Sequence, residues 1–351
     1  LHHHGAARPV GGMGGLISAL ERCLRSSGGS VVTGTAVTAV RAGDRVDAVE
    51  LEDGRVLGAR RAVIAACPPQ LVPGLAGGAL PAPVDSRLRR APANATGVGT
   101  LTISMALSGR LELPRHQREL DIRRPTIFAG TLEDVLSASA QAARGEIPDR
   151  TTYCLAIFTA IDPSQAPEGQ DVVQLYAPAP VAARGGWDAH RGEAADRLVA
   201  KVSEAAPALP ELEIGRYVET SADLSARTGA VNGCIYHVDH LPTRLGPLRP
   251  ALGAGGYRTP LPGLYLGSAG CHPGGGVSGL PGKLCAATVL KDLGRGGPRS
   301  GDPRHLAPGI GKLHGSRDGS IGAAPETAGH KVDDPEAEAD RDERRDALAR
   351  H

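Results

Sequence analysis

Residues 262–282 read PGLYLGSAGCHPGGGVSGLPG, and this stretch decides the fold. Leu264-Tyr265-Leu266 is a short apolar strand running into Gly267-Ser268-Ala269-Gly270. The run Gly274-Gly275-Gly276 follows, and then a helical pattern from Leu284 to Leu293. Glycines at such a turn let backbone N–H groups come close to a ligand. A helix start aimed at the same place adds partial positive charge. The combination suits a pyrophosphate or the electron-rich edge of a reduced ring. Pro281 must fall in the first helical turn, because an interior proline costs roughly 3 kcal/mol. The helix is therefore expected to begin within a few residues of Ser278.

Gly274, Gly276 and Gly279 also spell G-x-G-x-x-G between a strand and a helix. A dinucleotide-binding βαβ unit then requires a second parallel strand and an acidic residue about 20 residues on. After Leu293 the chain continues GRGGPRSGDPRHLAPGIGKLHG, which offers no apolar run for that strand. The turn is expected to close a fold rather than open one.

The same stretch resembles the C-terminal flavin-binding segment of the phytoene desaturase-like FAD-dependent oxidoreductases. Within them it is most similar to the pyridine nucleotide-disulfide oxidoreductase domain-containing protein 2 group. Thr259, Pro260, Pro262 to Gly267, Gly270, His272 to Val277, Gly279 and Gly282 carry the match. It extends to Gly11-Gly12-Met13-Gly14-Gly15-Leu16, Thr33, Val37, Asp53-Gly54, Ala62 to Ala65, the loop Asp162 to Gly169, Tyr236-His237 and Arg249-Pro250.

The resemblance implies an amine oxidase-like, Rossmann-like flavoprotein oxidoreductase with FAD as cofactor. It implies cofactor contacts at Val37, Ala65, Gly267, Ser268, Ala269, Gly274, Gly275, Gly276, Val277 and Gly279. Relatives begin with a βαβ unit whose G-x-G-x-x-G holds the ADP half of FAD. The expectation here is a C-terminal part of that fold, which holds FAD poorly by itself, since each 1.4 kcal/mol lost costs about tenfold in affinity. Two smaller departures are Cys234, where relatives often have Asn, and Gly267-Ser268, where they commonly have Cys-Gly.

The expected class is α/β: an incomplete FAD-binding Rossmann-like domain with an inserted substrate domain on a mixed or antiparallel sheet. Residues 9–75 form a helix plus strands of the FAD domain. A helix spans Leu16 to Leu24 and stops at Gly28. Ser30 to Val40 and Val46 to Leu51 alternate as strands, Asp53-Gly54 is a hairpin turn, and Val63-Ile64 is a short buried strand. Residues 95–225 form the substrate domain. Thr100 to Ala106 is an edge or platform strand, and Thr131 to Asp134 resembles a capping box that opens a helix ending at Gly145. Tyr153 to Ile161 and Val172 to Tyr176 are strands, and Trp187 to Ala205 is a helix with Leu198, Val199 and Val202 on one face. Residues 226–293 return to the FAD domain. Residues 294–351, rich in Gly, Pro and charge, are expected to be disordered.

Aromatics supply only 3% of the 351 residues, so the core must be built from Ala, Val, Leu and Ile. A net charge of +1 from 39 basic and 38 acidic residues leaves no basic excess to favour nucleic acid. Six scattered cysteines without C-x-x-C argue for a reducing compartment, and no apolar run spans a membrane. The expected partner is a small or lipophilic organic substrate, with a peripheral-membrane or inner-membrane protein partner as a further option. A bacterial source would place the chain in the cytoplasm and a eukaryotic one in the mitochondrial matrix.

Tyr236 and His237 are the candidate catalytic residues, His237 as a general base or as a hydrogen-bonded structural histidine. Arg249 could meet an FAD phosphate, a substrate carboxylate or a surface carboxylate. Nothing near Cys271 makes it reactive. Two other readings stand beside the oxidoreductase: a non-catalytic remnant that acts as a binding module, and a metal site at Cys234, His237 and His240, whose C-x-x-H-x-x-H spacing matches no recognised zinc pattern.

Overall fold

A computed structural model describes residues 8–114 and 126–294, which belong to one compact unit of mixed α/β structure. The expectation of disorder over 294–351 and the region after Leu293 lie almost wholly outside the described residues.

The N-terminal part holds α1 (Met13–Ser26), β1 (Val37–Ala42), β2 (Val46–Leu51), β3 (Val56–Gly58), β4 (Val63–Ala65), α2 (Val72–Leu75) and α3 (Ala82–Arg89). Strands β1, β2 and β3 form an antiparallel meander, turned at Asp53-Gly54 with Gly54 at φ 81°. The expected strand from Ser30 shrinks to β1, because residues 30–36 find no strand partner. No residue of α1 is buried. Met13, Ile17, Leu20 and Leu24 recur at helical spacing, yet all four are exposed.

The middle part comprises β5 (Val98–Leu107), β6 (Thr126–Ala129), α4 (Leu132–Ala143), β7 (Tyr153–Ile157), β8 (Asp171–Pro180), α5 (Trp187–Ser203), α6 (Leu209–Leu212), β9 (Glu213–Thr220) and α7 (Ser221–Thr228). Its antiparallel sheet runs β6-β7-β8-β5-β9. β5 is therefore interior, not an edge, because the unforeseen β9 pairs with its far side. Alternation fixes the two faces. Leu101, Ile103 and Met105 of β5, Leu155 of β7 and Val173 and Leu175 of β8 pack with Trp187, Leu198 and Val202 of α5. This core is aliphatic, as the composition requires.

Two capping boxes start helices here: Thr131 with Asp134, and Thr220 with Asp223. Arg191 of α5 fastens the second, with guanidinium nitrogens 2.5 and 2.8 Å from the Asp223 carboxylate. Burial works against that charge, but Arg191 and Thr220 outweigh it and hold Asp223 down to about 2.

The chain then returns to β10 (Leu264–Leu266) and α8 (Leu280–Asp292). β10 pairs with β4 in parallel, in register Leu264 to Val63 and Leu266 to Ala65. Leu264 and Leu266 lie in a second core with Val46, Val72, Leu80, Val84 and Leu88. The sequence predicts a buried β4, yet Ile64 is exposed, because β10 is the one strand beside it among the described residues.

Candidate functional site

β10 carries the chain into the glycine turn. The Gly267 amide donates to the Ala65 carbonyl at 2.9 Å, which places those two expected contacts side by side. Ser268 is buried; its hydroxyl accepts from the Gly270 amide and its carbonyl from the Cys271 amide, so it folds the turn back on itself.

Past this loop lies a cavity of about 300 Å³ lined by Gly267, Ala269, Gly274, Gly275, Val277, Ser278, Gly279, Pro281 and Gly282. Six of the ten expected cofactor residues line it: Gly267, Ala269, Gly274, Gly275, Val277 and Gly279. Val37 sits on the separate three-stranded sheet, and Ala65, Ser268 and Gly276 stand outside the lining.

α8 begins at this cavity with Gly279 as N-cap, Pro281 in its first turn and no acidic residue there. The Ser278 hydroxyl accepts from the Leu280 amide at 3.3 Å. The helix start therefore presents partial positive charge that no carboxylate of its first turn neutralises. Val277 forms the cavity's outer lip at φ 56°, mostly exposed. A β-branched residue in the left-handed region is strained by roughly 1–3 kcal/mol, a cost that structures tend to keep at ligand sites.

The glycine run serves two purposes. A Cβ at Gly275 would stand 2.9 Å from the Tyr236 ring, and one at Gly274 would overlap the His240 ring. Tyr236 and His240 pack edge to face, with centroids 4.9 Å apart. Gly274 and Gly275 thus make room for an aromatic pair of the protein itself. Gly276, at φ 107° with open space beyond it, turns the chain.

Arg249 holds the two loops together. It is 1% exposed, and its hydrogen bonds among the described residues all go to backbone. Its Nε donates to the Cys271 carbonyl, Nη1 to those of Asp239 and Arg244, and Nη2 to those of Tyr236, Val238 and Ala269, at 2.8–3.5 Å. The sequence offers it a phosphate, a substrate carboxylate or a surface ion pair. The structure instead spends the guanidinium on backbone carbonyls, because two loops must bury their oxygens together.

His237 adjoins this hub at φ 60°, and its carbonyl accepts from Gln70 at 2.6 Å. Its Nδ1 is buried and has no hydrogen-bond partner among the described residues. Burial, then the nearby Arg249 charge, pushes its pKa below the ordinary value, so the ring is neutral near pH 7.

Cys234 contacts Asp239 with Sγ at 3.7 Å while His240 turns to Tyr236, and no group of three His, Cys, Asp or Glu among the described residues could hold a metal. Burial pushes Cys271 up to about 12. Asp162, in the Asp162 to Gly169 loop, is a residue that sequence reasoning does not single out. Its carboxylate accepts from the Gly11 amide at 2.7 Å and the Ser164 hydroxyl at 2.6 Å, fastening the glycines that precede α1 to the sheet domain.

Residues 1–282 match the model of the flavin-containing amine oxidoreductases. The chain belongs to that family. Its cofactor is FAD and its members are oxidoreductases. Among curated proteins, this flavin amine oxidoreductase chain is 34% identical to the rat (Rattus norvegicus) pyridine nucleotide-disulfide oxidoreductase domain-containing protein 2 over 164 residues, 45% of this chain and 28% of that protein. It is 32% identical to the mouse (Mus musculus) protein of the same name, again over 45% of this chain and 28% of that one. An oxidoreductase from Methanosarcina mazei superposes with a TM-score of 0.49 at 18% identity, over 82% of this chain and 55% of that one. The matches thus span under a third of the curated relatives and about half of the solved chain.

Proposed function

We propose that the cavity at the α8 N-terminus receives the electron-rich ring edge of FAD and that the chain takes part in dehydrogenating an organic substrate. Gly267, Ala269, Gly274, Gly275, Val277 and Gly279 would flank the ring. The single observation that carries this reading is an open recess along the glycine turn, bordered by a helix start with no acid in its first turn. Bound flavin supplies the two-electron chemistry; the protein supplies position and charge. The residues here would orient the ring and stabilise the charge it gains on reduction, by roughly 0.3–1 kcal/mol from the helix start when exposed and more when buried.

At about 300 Å³ the cavity is at the small end for a ligand site, so it takes part of a dinucleotide and not all of it. Tyr236 would face the substrate from its seat on Gly275, and neutral His237 beside it could accept a proton.

Absorbance of the purified chain from about 300 to 550 nm, with and without added FAD, tests the reading. A flavin band that shifts on binding and is lost in Gly279→Trp supports it. No binding, here or in a longer form of the protein, sinks it. One observation favours a second, non-catalytic reading as a binding module: the apolar stripe of α1 lies open. That reading gains if a partner is captured while flavin never binds.

A further inference from the structure

Three consecutive carbonyls around His237 are each held by a buried side chain. Arg249 Nη2 donates to those of Tyr236 and Val238 at 3.0 and 2.8 Å, and Gln70 Nε2 donates to that of His237 at 2.6 Å. The His237 amide donates to the Cys234 carbonyl at 2.9 Å. These bonds fix His237 at φ 60°, a left-handed conformation that side chains seldom adopt. A Cβ at Gly270 would lie 2.5 Å from Pro69 and 3.3 Å from the His237 Cβ, so this glycine lets Pro69-Gln70 and His237 meet at the start of the glycine turn.

Gln70 is 7% exposed, and its amide nitrogen also donates to the Ala91 carbonyl at 3.1 Å. Both partners of Nε2 are carbonyl oxygens, so the amide cannot be turned over and its other atom is the acceptor. That Oε1 is buried without a hydrogen-bond partner among the described residues, and so is His237 Nδ1. Buried polar atoms are seldom left unpaired. Here the two stand on residues already joined by a hydrogen bond. One is an acceptor, and the other is a donor in one of the two forms of neutral imidazole.

We propose that Gln70 is the positioning residue of His237: its Oε1 takes a hydrogen bond from Nδ1–H and so leaves the Nε2 lone pair to receive a hydrogen bond or a proton from a ligand. A rotation of the imidazole, which makes no hydrogen bond of its own among the described residues, would complete the pairing. The partner of one ring nitrogen sets which nitrogen carries the proton. Gln70 is uncharged, so unlike a carboxylate it adds no stability to imidazolium, and burial and Arg249 disfavour that form further. The ring stays neutral, with one directed lone pair. That this lone pair serves a redox substrate rests on the function proposed above; the pairing of Gln70 with His237 does not.

The test is two-bond proton–nitrogen NMR of the full chain with nitrogen-labelled histidine, at about pH 8, where the ring is neutral. Loss of its signals in His237→Gln assigns it among the 12 histidines. The Nδ1–H form should outnumber the Nε2–H form about fivefold or more, the weight of one hydrogen bond. Histidine in water favours the reverse. Gln70→Met, which removes the acceptor, should return the proton to Nε2. Gln70→Glu keeps an acceptor and should keep Nδ1 protonated. Both variants lose the amide donors, so a change seen in the first and not in the second follows the acceptor and not the fold.

A wild-type ring with its proton on Nε2 overturns the proposal, and that outcome needs no variant to fold. So does a proton that stays on Nδ1 in Gln70→Met, or one that leaves Nδ1 in Gln70→Glu. The readout needs no flavin. Nδ1–H in the wild type without a flavin spectrum would reject the cofactor reading and keep the pairing. A flavin spectrum with the proton on Nε2 would reject the pairing alone.

Discussion

The Arg249 Nη2 lies 3.0 Å from the Tyr236 carbonyl and 3.2 Å from that of Ala269, so one guanidinium joins the loop that bears the aromatic pair to the loop that begins the glycine turn. Neither loop has a strand or long helix of its own to satisfy these oxygens. Arg249→Ala should cost about 3–5 kcal/mol, the range for breaking a buried charged hub. Arg249→Lys, with three donors against five, should recover only part. Urea midpoints decide this, and a loss under about 1 kcal/mol for the alanine variant would contradict it.

Gly275→Ala should destabilise by about 1–2 kcal/mol through overlap with the Tyr236 ring, because its φ lies outside the left-handed region and adds no strain. In a Tyr236→Ala background the same change should cost nearly nothing. A double-mutant cycle on denaturation midpoints measures the coupling.

Val277→Gly should raise stability by about 1 kcal/mol, since it removes the strain at φ 56° and deletes a side chain that is already mostly exposed. Flavin affinity should fall in the same variant. A stability gain with unchanged flavin binding would show the strain to be incidental.

Acid should act through Asp223. Its folded pKa of about 2 lies below the ordinary carboxylate value, so it contributes stability that is full above about pH 4 and is lost as pH falls toward 2. Asp223→Asn should lower stability at pH 7 by about 1–2 kcal/mol and flatten the acid limb of the curve. Thermal unfolding from pH 7 to pH 2 tests this.

Thiol labelling should separate the six cysteines into classes. Exposed Cys23 should react first and Cys67 and Cys154 more slowly. Buried Cys234, Cys271 and Cys285 should react only on unfolding, the last two with burial holding them near 12 and 11. Mass-resolved labelling over time shows the order.

Much of the fold is legible in the sequence because its signals are local. Asp53-Gly54, the Thr131 to Asp134 cap and the α5 face of Leu198, Val199 and Val202 depend on near neighbours and fall where their spacing says. Pro281 sets the start of α8 correctly. The Thr220 to Asp223 cap carries the same signal as Thr131 to Asp134 and marks the start of α7, whereas the pairing of β9 with β5 is long-range and no cap announces it.

What stays hidden is long-range. Arg249 reads as a surface or phosphate-binding charge until the loops around it are folded. Val277 reads as an ordinary apolar residue until its backbone is seen. Asp162 reads as a loop residue until Gly11 is brought to it. Within the glycine block the sequence locates the turn but cannot divide the glycines that only line the cavity from those, Gly274 and Gly275, that also pack against His240 and Tyr236.

That division bears on how such a block is interpreted in any related sequence. A Cβ at Gly270 would lie 2.5 Å from Pro69, one at Gly267 would press on Ile64, and those at Gly274 and Gly275 would strike His240 and Tyr236. Four of these glycines are thus required by the chain's own packing. Selection for folding alone would preserve them after catalysis was lost, so persistence of the motif marks an inherited scaffold, while the lip at Val277 and the open side of the cavity are where a surviving activity would leave its trace.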